Sequence, residues 1–258
     1  MPIDINCDMG ESFGAYALGR DREIIEHITS ANIACGFHAS DPLAMERTLA
    51  LARDHGVGVG AHPGYPDLVG FGRRKMDCSA AEVRADLLYQ VGALAGLARS
   101  LGLPLQHVKP HGALYNTAAA DPATAQAVCR ALADYDPSLI LVVLAGPGGE
   151  VIRQAAADAG LARVASEAFA DRAYTPEGRL VSRRLPGAVI HDPELVAARC
   201  LRMALEGMVE AVDGSLVRLN PQTICVHGDT PGAVELARAI KDALLAGGVP
   251  VRPMGQIL

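Results

Sequence analysis

Tryptophan is absent from the 258 residues, and only four phenylalanines are present. The core must therefore be filled by Leu, Val, Ile and Ala, a filling that suits helices packed on a parallel sheet. An excess of basic charge is also lacking: 23 Lys and Arg stand against 29 Asp and Glu, for a net charge of −6. That balance argues against a nucleic-acid partner, whose phosphates call for a basic face. The two small basic clusters, Arg73-Arg74-Lys75 and Arg183-Arg184, read as solvated surface. The six cysteines, at 7, 35, 78, 129, 200 and 225, contain no CxxC pair. A disulfide framework or a structural zinc knot would need closer spacing, so these are expected to be reduced core thiols. The N-terminus has neither the basic nor the apolar region of a signal peptide and reads as a strand. The longest strongly apolar run, Leu139 to Ala145, is far too short to span a bilayer. A cytoplasmic chain with no membrane partner is the expectation. Sequence motifs for a P-loop and an HExxH zinc helix are missing too.

What is present is a rhythm. Short β-like runs near 3–8, 31–37, 57–61, 105–109, 139–145, 162–167 and 223–227, with a weaker one at 249–252, alternate with helix-length segments. The clearest helix carries Val83, Leu87, Val91, Leu94, Ala98 and Leu101 at 3.6-type spacing and opens on Ser79-Ala-Ala-Glu82, a capping-box pattern. Four more helix starts share one signature: Asp41-Pro42, Asp121-Pro122, Asp192-Pro193 and Thr230-Pro231. There the first residue accepts from free backbone donors and proline fits the first turn. A β-α unit repeated about seven times implies a parallel sheet, closed or open. No linker interrupts it, so one α/β barrel domain over 1–258 is expected, with an irregular excursion from about Phe169 to Pro186 over one mouth.

Side chains alternate faces along a strand, so parity sorts them. Ile3, Ile5 and Cys7 oppose Asp4, Asn6 and Asp8; Val57, Val59 and Ala61 oppose Gly58, Gly60 and His62; Ile224 and Val226 oppose Thr223, Cys225 and His227. In the second run Ile33, Cys35 and Phe37 oppose Asn32, Ala34, Gly36 and His38. One face of each run is apolar, and the other is small or polar and ends in an ionisable residue. A closed barrel interior explains that better than an open sheet with both faces covered by helices.

His38, His62, His111 and His227, with Asp8, Lys109, Glu167 and Asp229, fall at or just after strand ends, where barrels of this kind place their chemistry. Asp8 and Glu11 share the first rim loop, where one can act as general base and the other orient it or bind metal; a helix cap is the alternative for Glu11. Lys109 is a candidate to neutralise an oxyanion or phosphate, and an ion pair with Asp8 or Glu167 is the competing account. Gly146, Gly148 and Gly149 follow a strand and open a helix, where exposed N–H groups can cradle phosphate. A divalent metal, if bound, would take Asp8, His62 and His111.

These residues sit in segments that closely resemble the LamB/YcsF family: DINCDMGESFG (4–14), ANIACGFHASDP (31–42), GAHPGYPD with GFGRR (60–74), VKPHGALYN (108–116), SEAFADRAYTPEGRLVSR (166–183) and VHGDTP (226–231). The resemblance implies a distorted (β/α) barrel similar to the glycoside hydrolase/deacetylase superfamily. It also implies ATP-dependent opening of 5-oxoproline to glutamate as the A subunit of a prokaryotic 5-oxoprolinase with separate B and C subunits. On that reading Asp8, with His38 or His62, activates water or holds the lactam, while Lys109 and His111 stabilise oxyanion or phosphate. Arg172 or Arg183 pairs with the substrate carboxylate. Asn6 and Glu11 are placed against substrate, Glu167, Asp171 and Asp229 orient the cations, and His227 completes the catalytic set. Two alternatives stand beside it: a stand-alone metal-dependent amidase or deacetylase, and a non-catalytic subunit that binds substrate.

Overall fold

Seven parallel strands close into a barrel in a computed structural model that describes residues 1–228 and 232–258. The barrel strands are β1 (Asp4–Met9), β2 (Ser30–Ala34), β3 (Gly58–His62), β4 (Leu105–Val108), β5 (Ile140–Leu144), β6 (Val164–Phe169) and β9 (Thr223–Val226), with β9 hydrogen-bonded to both β6 and β1. Helices α1 (Asp21–Ile24), α2 (Pro42–His55), α3 (Ala80–Ser100), α4 (Gly112–Ala120), α5 (Pro122–Tyr135), α6 (Glu150–Asp158), α7 (Pro193–Glu206) and α8 (Ala233–Ala246) follow the strands. Between α7 and β9 lies an antiparallel hairpin, β7 (Met208–Glu210) and β8 (Leu216–Arg218).

The local signals explain most helix starts. Asp41, Asp121 and Asp192 each accept a hydrogen bond from a first-turn N–H, and proline occupies the opening turn that follows. Ser79 and Glu82 cap α3 reciprocally, and Val83, Leu87, Val91, Leu94 and Ala98 form its buried stripe. Thr230-Pro231, the fourth expected start, lies outside the described residues. Burying a Leu or Val of this stripe contributes about 1.5–3 kcal/mol. All six cysteines are free, five of them buried.

The parity reading holds inside the barrel. Ile3, Ile5, Cys7, Val59, Ala61, Ile224 and Val226 pack outward against the helices in the main apolar cluster. The opposite face fills the interior with a polar ladder. At the bottom Asp4 accepts from Thr29, Ser30 and Thr223 at 2.7, 2.5 and 2.5 Å. One layer up, Asn32 donates to Asn6 at 2.7 Å, His107 bonds Asn32 Oδ1 at 2.7 Å, and Asn6 donates to Glu167 at 3.0 Å. Gly60 makes room for this layer: a Cβ there would lie 2.2 Å from the His107 ring.

Three expectations need correction. Strand β2 ends at Ala34 and not at 37: Gly36 and Ser40 take positive φ, and the turn between them carries His38 back over the barrel mouth. The 249–252 run forms a single bridge, Ile3 with Val251, and no strand. The β7–β8 hairpin was not foreseen, since its three-residue strands are too short for alternation to register. No helix among the described residues is long and apolar enough to cross a membrane.

Candidate active site

The C-terminal ends of the strands surround a cavity of about 560 Å³, lined by Asp8, His62, Lys109, His111, Tyr115, Phe169 and His227, with Arg73, Arg172, Arg183 and Arg184 also in its wall. Groups more than two hundred positions apart thus meet at one mouth. Two larger surface hollows lie elsewhere, between the 10–22 segment and α2 and along α6, and hold none of these residues.

Asp8 is the hub. Its Oδ1 accepts from Lys109 Nζ at 2.9 Å and from Asn32 at 2.8 Å, and its Oδ2 lies 3.3 Å from His62 Nε2. Burial pushes the carboxyl up, but the positive charges of His62 and Lys109 outweigh it and hold Asp8 well below the ordinary carboxylate range. Lys109 reaches Glu167 at 2.8 Å as well, so it is bracketed by two carboxylates. Burial works against its charge, and Asp8 foremost keeps it protonated. The ion pair weighed for Lys109 is therefore formed, with both partners at once. Glu167, fully buried, also accepts from Tyr115 at 2.8 Å. Asn6 and Glu167 lie below the cavity and do not line it, so they support Lys109 from beneath.

Beside Asp8 three histidines pack against one another. His38 stacks on His111 with ring centroids 3.7 Å apart, and His62 stands perpendicular to both. Glu11 Oε1 lies 3.5 Å from His38 Nε2 and 3.9 Å from His111 Nδ1. The glycines of the GFG segment permit this packing: Gly72 has φ +61°, and a Cβ on it would fall 2.7 Å from His38 and 2.8 Å from His111. Burial drives the His111 pKa down to about 3 and lowers that of His38, so both rings are neutral.

Hydrogen bonding then decides where the ring protons sit. His62 Nδ1 is 2.7 Å from the Lys109 carbonyl, and His111 Nε2 is 2.9 Å from the Phe71 carbonyl. A carbonyl only accepts, so those nitrogens carry the hydrogens. The neutral His111 ring therefore turns its Nδ1 lone pair on His62 Nε2 at 2.9 Å, next to the Asp8 carboxylate. Neither ring nitrogen of His38 has a hydrogen-bond partner among the described residues. Lone pairs converging in a buried space call for a cation, a proton or a metal ion. Glu11, His38, His62 and His111 place one ligand atom each within 4.8 Å of one another, a donor set compatible with a divalent ion. The sequence-level set of Asp8, His62 and His111 shares two members with it. Glu11 and His38 join them because loops after β1 and β2 fold back over the mouth.

Asp8, Cys225 and His227 place one ligand atom each within 4.8 Å of one another, and His227 Nδ1 donates to Asp171 at 2.9 Å while its ring stacks on Phe169. Burial raises the Asp171 pKa, but the neighbouring His227 charge outweighs this and keeps it ionised. With Nδ1 committed, Nε2 is the nitrogen left to exchange a proton in the cavity.

The remaining expected residues divide. Arg183 lines the cavity, and so does Arg172, although Arg172 also ties the excursion together by donating to the carbonyls of Val181 and Ala188. Gly146, Gly148 and Gly149 do not line it: that turn packs under Leu219 and Gly178, and Arg153 occupies its carbonyls. Asp229 lies outside the described residues. Tyr115, His107, Arg73 and Arg184 were missed as site residues. His107 was visible by its parity with Lys109, two residues on; Arg73 and Arg184 belong to the clusters read as mere surface.

The LamB/YcsF family model matches residues 3–258. The chain belongs to the LamB/YcsF family. Among its relatives, a protein of Syntrophobacter fumaroxidans named as the A subunit of 5-oxoprolinase is 57% identical over 255 residues, covering 99% of each chain. One of Symbiobacterium thermophilum with the same name is 56% identical, covering 98% of this chain and 95% of its own. The crystal structure of a lactam utilization protein from Thermus thermophilus superimposes with a TM-score of 0.92 at 54% identity, over 98% of this chain and 99% of that one. A putative cellobiose-phosphate cleavage protein of Enterococcus faecalis shares the fold, with a TM-score of 0.58 at 12% identity over 99% and 98% of the two chains. The LamB/YcsF segments recognised in the sequence supply Asp8, His62, Lys109, His111, Arg183 and His227 to this cavity.

Proposed function

We propose that this chain hydrolyses the cyclic amide 5-oxoproline to glutamate, as the A subunit of an ATP-dependent enzyme with separate B and C subunits. The names of the family relatives support the substrate and the subunit role. The observation that carries the chemistry is the meeting of the Asp8–His62–His111 cluster and the Asp171–His227 pair in one arginine-rimmed cavity.

The lactam is a planar, resonance-stabilised amide with a poor leaving nitrogen, so opening it needs an activated water, a stabilised oxyanion and a proton for that nitrogen. Asp8, ionised and fixed by Lys109 and Asn32, accepts the proton of the attacking water. Lys109 balances the charge that gathers beside Asp8. His227, held by Asp171 in one tautomer, delivers the proton to the departing nitrogen. Arg172, oriented by two backbone carbonyls, forks onto the substrate carboxylate. A divalent ion held by Glu11, His38, His62 and His111 would supply Lewis acidity toward water or the carbonyl. ATP makes the ring a better electrophile by phosphorylating the amide oxygen. Gly146, Gly148 and Gly149 do not open onto the cavity, and this reading assigns the nucleotide to a partner chain.

The test combines the chain with its B and C partners and follows glutamate release from 5-oxoproline with and without ATP. Release that requires all three chains and ATP is expected. Turnover by the isolated chain without ATP, abolished by a chelator, would instead make it a stand-alone metal-dependent amidase. Full activity of an Asp8→Ala, His62→Ala double variant would make it a non-catalytic binding subunit.

A further inference from the structure

Beneath the cavity, one buried side chain has hydrogen bonding that packing does not explain. His107 is fully buried and does not line the cavity, so it is out of reach of a bound substrate. Its Nε2 lies 2.7 Å from Asn32 Oδ1, while its Nδ1 has no hydrogen-bond partner among the described residues. A buried nitrogen left without a partner is destabilising, and an apolar side chain would fill the same space without that penalty. The space is shaped around the ring: a Cβ on Gly60 would fall 2.2 Å from it. What the imidazole adds over an apolar filler is a single directed N–H.

The neighbours fix the direction of that N–H. Lys109 stays protonated beside Asp8 and Glu167, and an ammonium only donates. The Asn6 atom 3.3 Å from Lys109 Nζ is therefore the amide oxygen. Asn32 turns one side of its own amide toward that oxygen at 2.7 Å and toward Asp8 Oδ1 at 2.8 Å. Two acceptors on that side require the NH₂ group there, which leaves the Asn32 oxygen facing His107. That oxygen only accepts, so His107 carries its hydrogen on Nε2. Burial first, and the charge of Lys109 next, push the His107 pKa down to about 3, so Nδ1 stays bare.

We propose that His107 is a positioning residue for the hydrolytic step: its Nε2–H fixes the amide of Asn32, which holds Asp8 Oδ1 and leaves Oδ2 as the oxygen that takes the proton of water. This rests on the assignment of Asp8 as general base above and names the atom that acts. Oδ1 already accepts from Lys109 and from Asn32. Oδ2 lies 3.3 Å from His62 Nε2, on a side chain that opens onto the cavity. In the step itself the water oxygen bonds to the ring carbonyl carbon, a water proton passes to Oδ2, and the π pair of the carbonyl moves onto its oxygen. Without the His107 donor, the Asn32 oxygen becomes a buried unsatisfied acceptor. The amide then turns to find a donor, Asp8 Oδ1 loses one of its two partners, and the carboxylate is free to rotate on Lys109 alone. General-base catalysis is sensitive to that rotation, because the base must meet its proton within hydrogen-bond reach.

The test uses the assembled enzyme for rates and the full chain for spectroscopy. His107→Leu should lower kcat for glutamate release by about 10–100-fold while KM for 5-oxoproline stays unchanged. His107→Gln should restore most of that rate, because its side-chain N–H stands where the imidazole Nε2–H stood. Asn32→Ala should lower kcat as well, and adding His107→Leu to it should lower kcat no further, since His107 acts through Asn32. Nitrogen NMR of the full chain with isotope-labelled histidine should show a hydrogen on Nε2 and none on Nδ1 for the ring whose signal His107→Gln removes. This measurement needs no activity and decides the matter if His107→Leu does not fold. A rate near wild type for His107→Leu would overturn the positioning role. So would equal losses in His107→Leu and His107→Gln, losses that multiply when His107→Leu is added to Asn32→Ala, or a hydrogen found on Nδ1; each of these leaves the lactam reading intact. A wild-type assembly that releases no glutamate would overturn the lactam reading itself and, with it, the role given to Asp8.

Discussion

Glu167→Gln removes one charge from the most enclosed ion pair in the molecule while keeping the shape of the side chain. The native carboxylate is fully buried and accepts from Lys109 at 2.8 Å, Tyr115 at 2.8 Å and Asn6 at 3.0 Å. The amide can still accept from Lys109 and Asn6, but its nitrogen then faces the Tyr115 hydroxyl, which has to turn its own hydrogen away. Breaking a buried pair by removing one charge costs about 3–5 kcal/mol. Lys109 retains Asp8, so the lower end, about 3 kcal/mol, is expected here. For a chain of this size that corresponds to a fall in melting temperature of roughly 6–12 °C, at about 2–4 °C per kcal/mol. Urea unfolding followed by circular dichroism measures it, with an unchanged slope showing that the unfolded state is not altered. Tyr115→Phe should cost about 1.5–3 kcal/mol alone, because its hydroxyl donates to a charged acceptor. In the double variant the two losses should fall short of additivity, since they share one contact. A Glu167→Gln loss below about 1 kcal/mol, the range of an exposed pair, would refute the view that Lys109 is held between two desolvated carboxylates.

Other outcomes follow from the same geometry. Burial raises the Asp4 pKa from 3.8 to about 6, a difference worth about 3 kcal/mol. Its folded pKa lies above its unfolded one, so the stability linked to it is full below pH 3.8 and is lost as pH rises through about 6. Asp4→Asn should remove that part of the pH dependence, read from denaturant midpoints between pH 4 and 8; an unchanged profile would show that another group produces it. Zinc or manganese should raise the melting temperature of the wild-type chain and a chelator should reverse the rise, whereas His111→Ala should abolish the response. Equal metal-induced shifts in the two proteins would place the ion elsewhere. Gly72→Ala forces a side chain into positive φ and against His38 and His111, and should destabilise by about 1–3 kcal/mol; thermal melts read this directly, and a neutral result would contradict the tight packing of those rings.

The barrel was legible because β1, β2, β3 and β9 each keep one strictly apolar face. Ile5 and Cys7 against Asn6 and Asp8, or Ile224 and Val226 against Cys225 and His227, can be satisfied together only by a polar interior closed off from the helices. The same alternation pointed to Asp8, His62 and His227 as neighbours. His38 was chosen by continuing the parity of β2 past its end; it reaches the site instead through a turn at Gly36 and Ser40, which alternation cannot describe. Glu11 and Asp171 were located by their motifs, but their pairing with histidines across loops depends on backbone paths that carry no period. Arg73 and Arg184 were passed over because a charged loop residue has the same local sequence character at a cavity rim as on open surface. The glycine turn at 146–149 shows the converse: a pattern suited to phosphate is here covered by Leu219 of the segment following the unforeseen hairpin.

The most direct test of the central claim, that the Asp8 cluster and the Asp171–His227 pair act together on one bond, is the rate of glutamate release by the assembled enzyme carrying Asp8→Asn or His227→Gln. Each substitution removes a proton-transfer group and should lower kcat by about 10²–10⁴-fold, with melting temperature and 5-oxoproline binding preserved. Rates within a few-fold of wild type for either variant would show that the chemistry takes place elsewhere.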